Sequence, residues 1–254
     1  MRLDGLRAIA EQFDGILFDQ FGVLHDGRKP YPHAIALLET LKAKSIPVGI
    51  ITNSGKRAEA NRQRLEAMGL RRELFVDCLS SGEVAFTSLS PQRAYVIGKT
   101  GEDYGFEGFT LVDDPRLAEV LLILGSDAPR TSLQDYARLL GELSIPAICC
   151  NPDKQMLTAS GLQPAPGAIA ALYETLGGKV TWIGKPYPAI YRQAAHLIGN
   201  PRRVLCVGDS AEHDVAGGRA AGFSTLLVMT GVSEGLDPAS VEPQPDFWMP
   251  QLQW

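Results

Sequence analysis

Eight short apolar runs recur along this 254-residue chain, at 16–18, 48–51, 95–97, 120–124, 147–150, 180–183, 204–207 and 225–229, with little polar alternation inside them. A strand that shows one face to water alternates apolar and polar residues. Runs this continuous predict strands covered on both faces, as in a parallel sheet between layers of helices. Helix-period segments lie between them at 34–44, 57–68, 132–143, 168–176 and 189–197, and Gly69, Gly177 and Gly199 stand where C-caps are expected. Strand and helix in alternation imply a layered α/β fold. The composition, 45% hydrophobic and 21% charged, is that of a folded globular chain and argues against disordered and fibrous classes.

Four short pieces then single themselves out. The run at 16–18 ends on Asp19, and the run at 48–51 ends on Thr52-Asn53-Ser54. Gly184-Lys185-Pro186 is the third piece, and the run at 204–207 leads into Gly208-Asp209-Ser210-Ala211-Glu212-His213-Asp214 as the fourth. In open α/β sheets the ligand sits beyond the carboxyl ends of the strands, which is where Asp19, Thr52 and Asp209 fall. A carboxylate there is placed to attack phosphorus once its charge and that of the phosphate are offset. The Thr52 hydroxyl and the amides of Asn53 and Ser54 precede a helix and can hold a phosphoryl oxygen. Lys185, restricted by Gly184 and Pro186, can aim its ammonium at the same group. Asp209 and Asp214 are hard oxygen donors of the kind that suit Mg²⁺, which takes one or two protein carboxylates and keeps several waters. Each piece alone has an ordinary reading: a strand-end carboxylate, a helix entry, a solvated lysine, an acidic turn.

Together, in this order and spacing, they resemble the haloacid dehalogenase-like hydrolases, most of which move phosphoryl groups through an aspartyl-phosphate. The resemblance covers nearly the whole chain. It implies a Rossmann-like, doubly wound parallel-sheet core at 1–91 and 180–254, with an α/β cap inserted at 92–179. An insert between the second and third pieces is similar to subfamily IIA, the NagD and 4-nitrophenylphosphatase-like branch, as are Gly22-Val23-Leu24, His25-Asp26-Gly27, Asn151-Pro152-Asp153 and Gly231-Val232-Ser233. The resemblance makes Asp19 the nucleophile and assigns Mg²⁺ to Asp19, the backbone carbonyl of Phe21 and Asp209. Asp214 orients Lys185 or a metal-bound water. Asn151 and Asp153, after a buried strand, are candidates for substrate specificity.

Phe21 departs from the pattern. Phosphatases of the superfamily carry a second Asp there, which protonates the leaving alcohol and later activates water, each job worth roughly 10² to 10⁴ in rate. A phenyl ring does neither, a deficit of roughly 3 to 5 kcal/mol in whichever step limits. Three outcomes follow: a substrate whose leaving group departs unprotonated, another proton donor such as His25 or His213, or a protein that binds a phosphorylated ligand with little or no turnover. Cleavage of a phosphonate or carbon–halogen bond is a further enzyme class, and its other motifs match weakly.

The remaining features narrow the partners. Net charge is -5, and no basic cluster is long enough to follow a nucleic-acid backbone. Cys78, Cys149, Cys150 and Cys206 lack C-x-x-C spacing and read as reduced thiols, hence a cytoplasmic protein. Asp4, Arg7 and Glu11 break what a signal peptide requires, and no stretch has the length of a membrane span. Gly98-Lys99-Thr100-Gly101 echoes the end of a phosphate-binding loop, yet Arg93 stands where that loop needs Gly. The apolar tail at 247–254 packs on the body or forms an interface, as in a homodimer. The expected partner is a small phosphorylated metabolite.

Overall fold

The computed structural model describes residues 1–158 and 161–254. Along the described chain run β1 Gly15–Phe18, β2 Val48–Thr52, β3 Asp77–Ser80, β4 Arg93–Ile97, β5 Thr110–Leu111, β6 Val120–Ile123 and β7 Ala147–Cys149. There follow β8 Gln155–Thr158, β9 Gly161–Pro164, β10 Val180–Trp182, β11 Val204–Gly208, β12 Ser224–Val228 and β13 Phe247–Met249. The chain divides into two compact units, one of Met1–Thr52, Glu59–Leu79 and Lys185–Trp254, the other of Asn53–Ala58 and Ser80–Gly184.

The first unit holds a sheet in the order β13-β12-β11-β1-β2-β3. β1 lies parallel between β11 and β2, with Phe18 opposite Val207 on one side and Ile50 on the other. All residues of β1, β2 and β11 are buried, which is why their sequences carry no polar alternate. Phe18, Leu24, Leu38, Ile50, Leu205 and Leu226 belong to one apolar cluster that covers a face of this sheet. The tail expected at 247–254 to pack or to form an interface supplies the edge strand β13, parallel to β12, and Trp248 receives the Arg2 guanidinium 5.7 Å from its ring centroid.

The second unit has its own sheet, ordered β10-β7-β6-β4-β5, with parallel pairing throughout. Beside it lies the antiparallel hairpin β8–β9. Helix Leu133–Leu140 opens on a capping box, Ser132 accepting from the Asp135 amide while Asp135 accepts from the Ser132 amide. The unit is wider than the insert expected at 92–179. The run at 180–183, expected in the core, pairs as β10 with β7, Val180 opposite Ala147. Residues 53–58 also join this unit: the Gly82 amide donates to the Ser54 carbonyl at 2.9 Å, and Arg57 grips the Glu83 carboxylate with Nε and Nη2 at 2.7 and 3.0 Å. Tertiary pairing sets these boundaries, and the motif spacing carried no sign of it.

The expected helices form at Ala34–Ala43, Ala58–Ala67, Leu133–Leu140, Pro166–Thr175 and Pro188–Leu197. Gly69, Gly177 and Gly199 take the left-handed φ of a C-cap, at 91°, 92° and 90°. Among the described residues, no helix is long and apolar enough to cross a membrane. All four cysteines are buried and free, and burial raises the Cys78 and Cys149 thiols to about 12.

Candidate active site

Three strand ends bring the chemistry together in the first unit. β1 ends immediately before Asp19, β2 ends on Thr52, and β11 ends immediately before Asp209, so parallel neighbours deliver their polar residues to one edge of the sheet. Lys185 Nζ lies 2.8 Å from Asp19 Oδ1 and 2.8 Å from Asp214 Oδ1. The lysine is 3% exposed, so this ammonium is held by carboxylates rather than by water. Asp19 Oδ1 also accepts the Gln20 amide at 2.8 Å, which fixes its rotamer. Asp214 Oδ2 accepts the Ser210 amide at 3.1 Å, on a π-turn at Ala211–Val215 that Ser210 caps. That turn inserts one residue into the helical register and points Asp214 inward, a device often found at functional sites.

Asp209 sits in a clasp of backbone. Its Oδ2 accepts the Val232 amide at 2.7 Å. Gly22, at φ 82°, and Gly231, at φ 56°, lie so close that a Cβ on either would run into this carboxylate. Thr230 Oγ1 donates to the Gly22 carbonyl and ties the two loops together. The sequence showed both glycines only as part of a family likeness. Their physical role, letting two loops approach one carboxylate, needs the three-dimensional contact.

Oxygens of Asp19, Asp209 and Asp214 all lie within 4.8 Å of one another. Burial, reinforced by Asp214 and opposed by Lys185, raises the Asp19 carboxyl to about 7. Burial, then the neighbouring Asp19 and Asp214, lifts Asp209 well above the ordinary range. Burial also opposes the charge on Lys185, but the two carboxylates outweigh it and hold the ammonium above the usual lysine value. Three buried acids against one lysine leave the cluster short of positive charge. A hard divalent cation meets that need, and the all-oxygen donor set fits it.

Phe21 and His25 face each other within one loop. Phe21 is 46% exposed, and its ring meets the His25 ring edge-on with centroids 6.0 Å apart. His25 is buried, and its Nδ1 accepts the Gly27 amide at 2.9 Å. Burial, then the Arg64 charge, lowers its pKa to about 4, so the imidazole is neutral at pH 7 and holds the loop. Gln20 and Asn61, both buried and joined at 3.4 Å, continue this support and were not marked by sequence reasoning. His213 is half-buried, with Nδ1 3.1 Å from Ser210 Oγ.

The residues expected to bind substrate gather in the second unit. Asn53 Nδ2 donates to Asp153 Oδ1 at 2.8 Å, across 100 positions of sequence, and the Asp153 amide donates to Asn151 Oδ1 at 3.0 Å. Ser54 is half-buried, its carbonyl accepting from Gly82 and from the Ser81 hydroxyl.

The profile described as haloacid dehalogenase-like hydrolase matches residues 16–109, and that described as HAD-hydrolase-like matches 182–254. The bovine haloacid dehalogenase-like hydrolase domain-containing protein 2 is 30% identical over 91% of this chain and 89% of its own length. Dihydroxyacetone phosphatase of Corynebacterium glutamicum is 28% identical over 86% of this chain and 82% of its own. Among solved structures, a haloacid dehalogenase-like hydrolase of Brucella suis superposes with a TM-score of 0.88 at 25% identity, covering 98% and 99% of the two chains. The 4-nitrophenylphosphatase of Thermotoga maritima does so with 0.77 at 26%, covering 96% of each. With its strand-end aspartates, its lysine and its inserted second sheet, the chain belongs to the haloacid dehalogenase-like hydrolases, in their IIA branch of phosphatases.

Proposed function

We propose that the protein hydrolyses a small phosphate ester in the cytoplasm through an aspartyl-phosphate on Asp19, with Mg²⁺ as its metal. The observation that carries this is the Asp19 carboxylate, fixed by the Gln20 amide and held 2.8 Å from a buried Lys185. The name of the Corynebacterium relative, dihydroxyacetone phosphatase, supports a sugar-phosphate-sized substrate.

Asp19 and Asp209, with the backbone carbonyl of Phe21, are the residues that would hold the metal. Bound there, it supplies positive charge to the phosphoryl oxygens and keeps the Asp19 carboxyl ionised. Asp19 Oδ attacks phosphorus, the P–O bond to the leaving group breaks, and the electron pair departs with that oxygen. Lys185, kept protonated and aimed by Asp214, balances charge on the transferring group, while the Thr52 hydroxyl donates to a phosphoryl oxygen. Water then attacks phosphorus with no base from Phe21, the P–O bond to Asp19 breaks, the water's protons leave on the inorganic phosphate, and Asp19 is regenerated as a carboxylate. Phe21 offers the departing oxygen no proton. The substrate class that fits has a leaving group stable as an anion, such as an aryl, enol or acyl phosphate.

The test is phosphate release from a panel of esters with Mg²⁺, beside Asp19→Asn and a chelated sample. Mass spectrometry of acid-quenched protein looks for a phosphoryl adduct on the peptide bearing Asp19. Release abolished by either control, with an adduct in the wild type, is the expected result. Ligand-induced thermal stabilisation without release or adduct would replace hydrolysis with a binding role.

A further inference from the structure

The second unit carries a crevice of its own at the point where its strand order reverses. β4 comes first in sequence and stands between β5 on one side and β6 on the other, with β7 and β10 beyond β6. That is the flavodoxin-like winding, in which the first and third strands part at their carboxyl ends and leave room for a ligand. A cavity of about 370 Å³ lies there, lined by the loops after β4 and β6 and by helix Leu133–Leu140. Its volume is in the range of small-molecule sites. Glycines after the two strands admit one of its walls: a Cβ on Gly98 or Gly125 would strike Tyr104, which lines the space.

The polar groups of the crevice select against phosphate. Two backbone amides that a glycine-rich loop would offer to an anion are already taken, Lys99 donating to Tyr104 Oη at 2.9 Å and Thr100 to Asp127 Oδ1 at 3.1 Å. The Thr100 hydroxyl donates to Asp127 Oδ2 at 2.8 Å, so a side-chain carboxylate fills the anion position. Hydrogen bonds from Thr100 hold the Asp127 carboxyl below its ordinary value and keep it charged. The carboxylates of Asp127, Asp135 and Glu102 line the space together with Lys99, while their other ion-pair partners, Arg130, Arg138 and Lys56, stand outside the lining. Tyr136 Oη accepts the Asp127 amide at 3.2 Å. Both tyrosine oxygens thus accept from backbone, which leaves each hydroxyl hydrogen to donate. Tyr95 adds a third aromatic wall.

We propose that this crevice binds a small uncharged molecule with a hydroxyl-bearing ring: a sugar, a cyclic polyol or a ribonucleoside. A hydroxyl group both gives and takes a hydrogen bond, matching tyrosine donors and carboxylate acceptors in one space, and a ring face packs on tyrosine. The site is built wholly of second-unit residues and does not depend on phosphate ester hydrolysis.

The test uses the full chain carrying Asp19→Asn, without divalent cation, so that phosphorylated probes are not consumed. Glucose, myo-inositol, adenosine and uridine are titrated while the amide resonances of Lys99, Thr100 and Asp127 are followed. Glucose 6-phosphate, adenosine monophosphate and spermidine are the charged comparators. Saturable shifts with at least one neutral probe are expected, its phosphorylated form binding about tenfold or more weakly. Asp127→Asn weakens the neutral probe by about tenfold, the worth of one charged hydrogen bond, and narrows its advantage over the phosphate. Leu139→Trp, which fills the cavity, removes the shifts. Shifts from no neutral probe, equal or tighter binding of the phosphorylated forms, or a response to spermidine alone would each overturn the assignment.

Discussion

Phe21 divides the chemistry of the site into what backbone can supply and what only a side chain can. A carbonyl contact to a metal survives any residue at that position, whereas proton transfer to the leaving oxygen does not. Phe21→Asp is therefore expected to raise kcat/KM on alkyl phosphates by on the order of 10² or more, and on 4-nitrophenyl phosphate by much less. Paired assays on the two esters check this, and an equal gain on both would refute the leaving-group argument. Lys185 is a sharper case, because one ammonium neutralises two carboxylates at 2.8 Å in a dry setting. Lys185→Met leaves those charges uncompensated, and a loss on the order of 3 kcal/mol in unfolding free energy at pH 8 is expected. Chemical denaturation should show that loss shrinking at pH 5, where the Asp19 carboxyl, raised to about 7, takes up a proton. A pH-independent loss would assign the cost to packing instead.

At the scale of elements, β1, β2 and β11 were legible because burial on both faces leaves unbroken apolar runs, and their carboxyl ends marked Asp19, Thr52 and Asp209. β5 was not, since its two residues are exposed, and neither was the placement of β10, since the order of strands in a sheet is a long-range choice. The π-turn that directs Asp214 and the glycine clasp on Asp209 were equally silent. The clasp depends on contacts between segments far apart in sequence, whereas the π-turn closes locally, between Ser210 and Asp214. The clasp makes its own prediction. Gly22→Ala meets a left-handed φ and a carboxylate together, so it should cost more than the ~1 kcal/mol of strain alone and weaken divalent-cation binding. Calorimetric titration with Mg²⁺ measures the second effect. Gly222, at φ 83° with no atom near its absent Cβ, is the control: its alanine variant should carry the strain and leave the cation affinity unchanged.

At the scale of the whole molecule, the carboxylate cluster links folding to pH and to metal. Asp19 is raised to about 7 by burial ahead of the opposing Lys185, and Asp209 is raised in the same direction. A carboxyl whose folded pKa lies above its unfolded value binds more protons in the native state across the interval between them. Its stabilising contribution is complete below about pH 4 and is lost as pH climbs towards 7. Exposed carboxylates such as Asp14 and Asp26, lowered by a side-chain hydrogen bond from Arg203 and by backbone amides respectively, work in the opposite sense. The comparison must therefore be between the wild type and Asp19→Asn, which share those surface groups. In metal-free buffer the melting temperature of the wild type should fall relative to Asp19→Asn between pH 4 and 7. Saturating Mg²⁺ should reverse the fall for the wild type by favouring the ionised carboxylates, and help the Asn variant less. A difference that stays flat with pH, or a Mg²⁺ response of equal size in both proteins, would mean that Asp19 neither titrates in this interval nor helps to hold the cation.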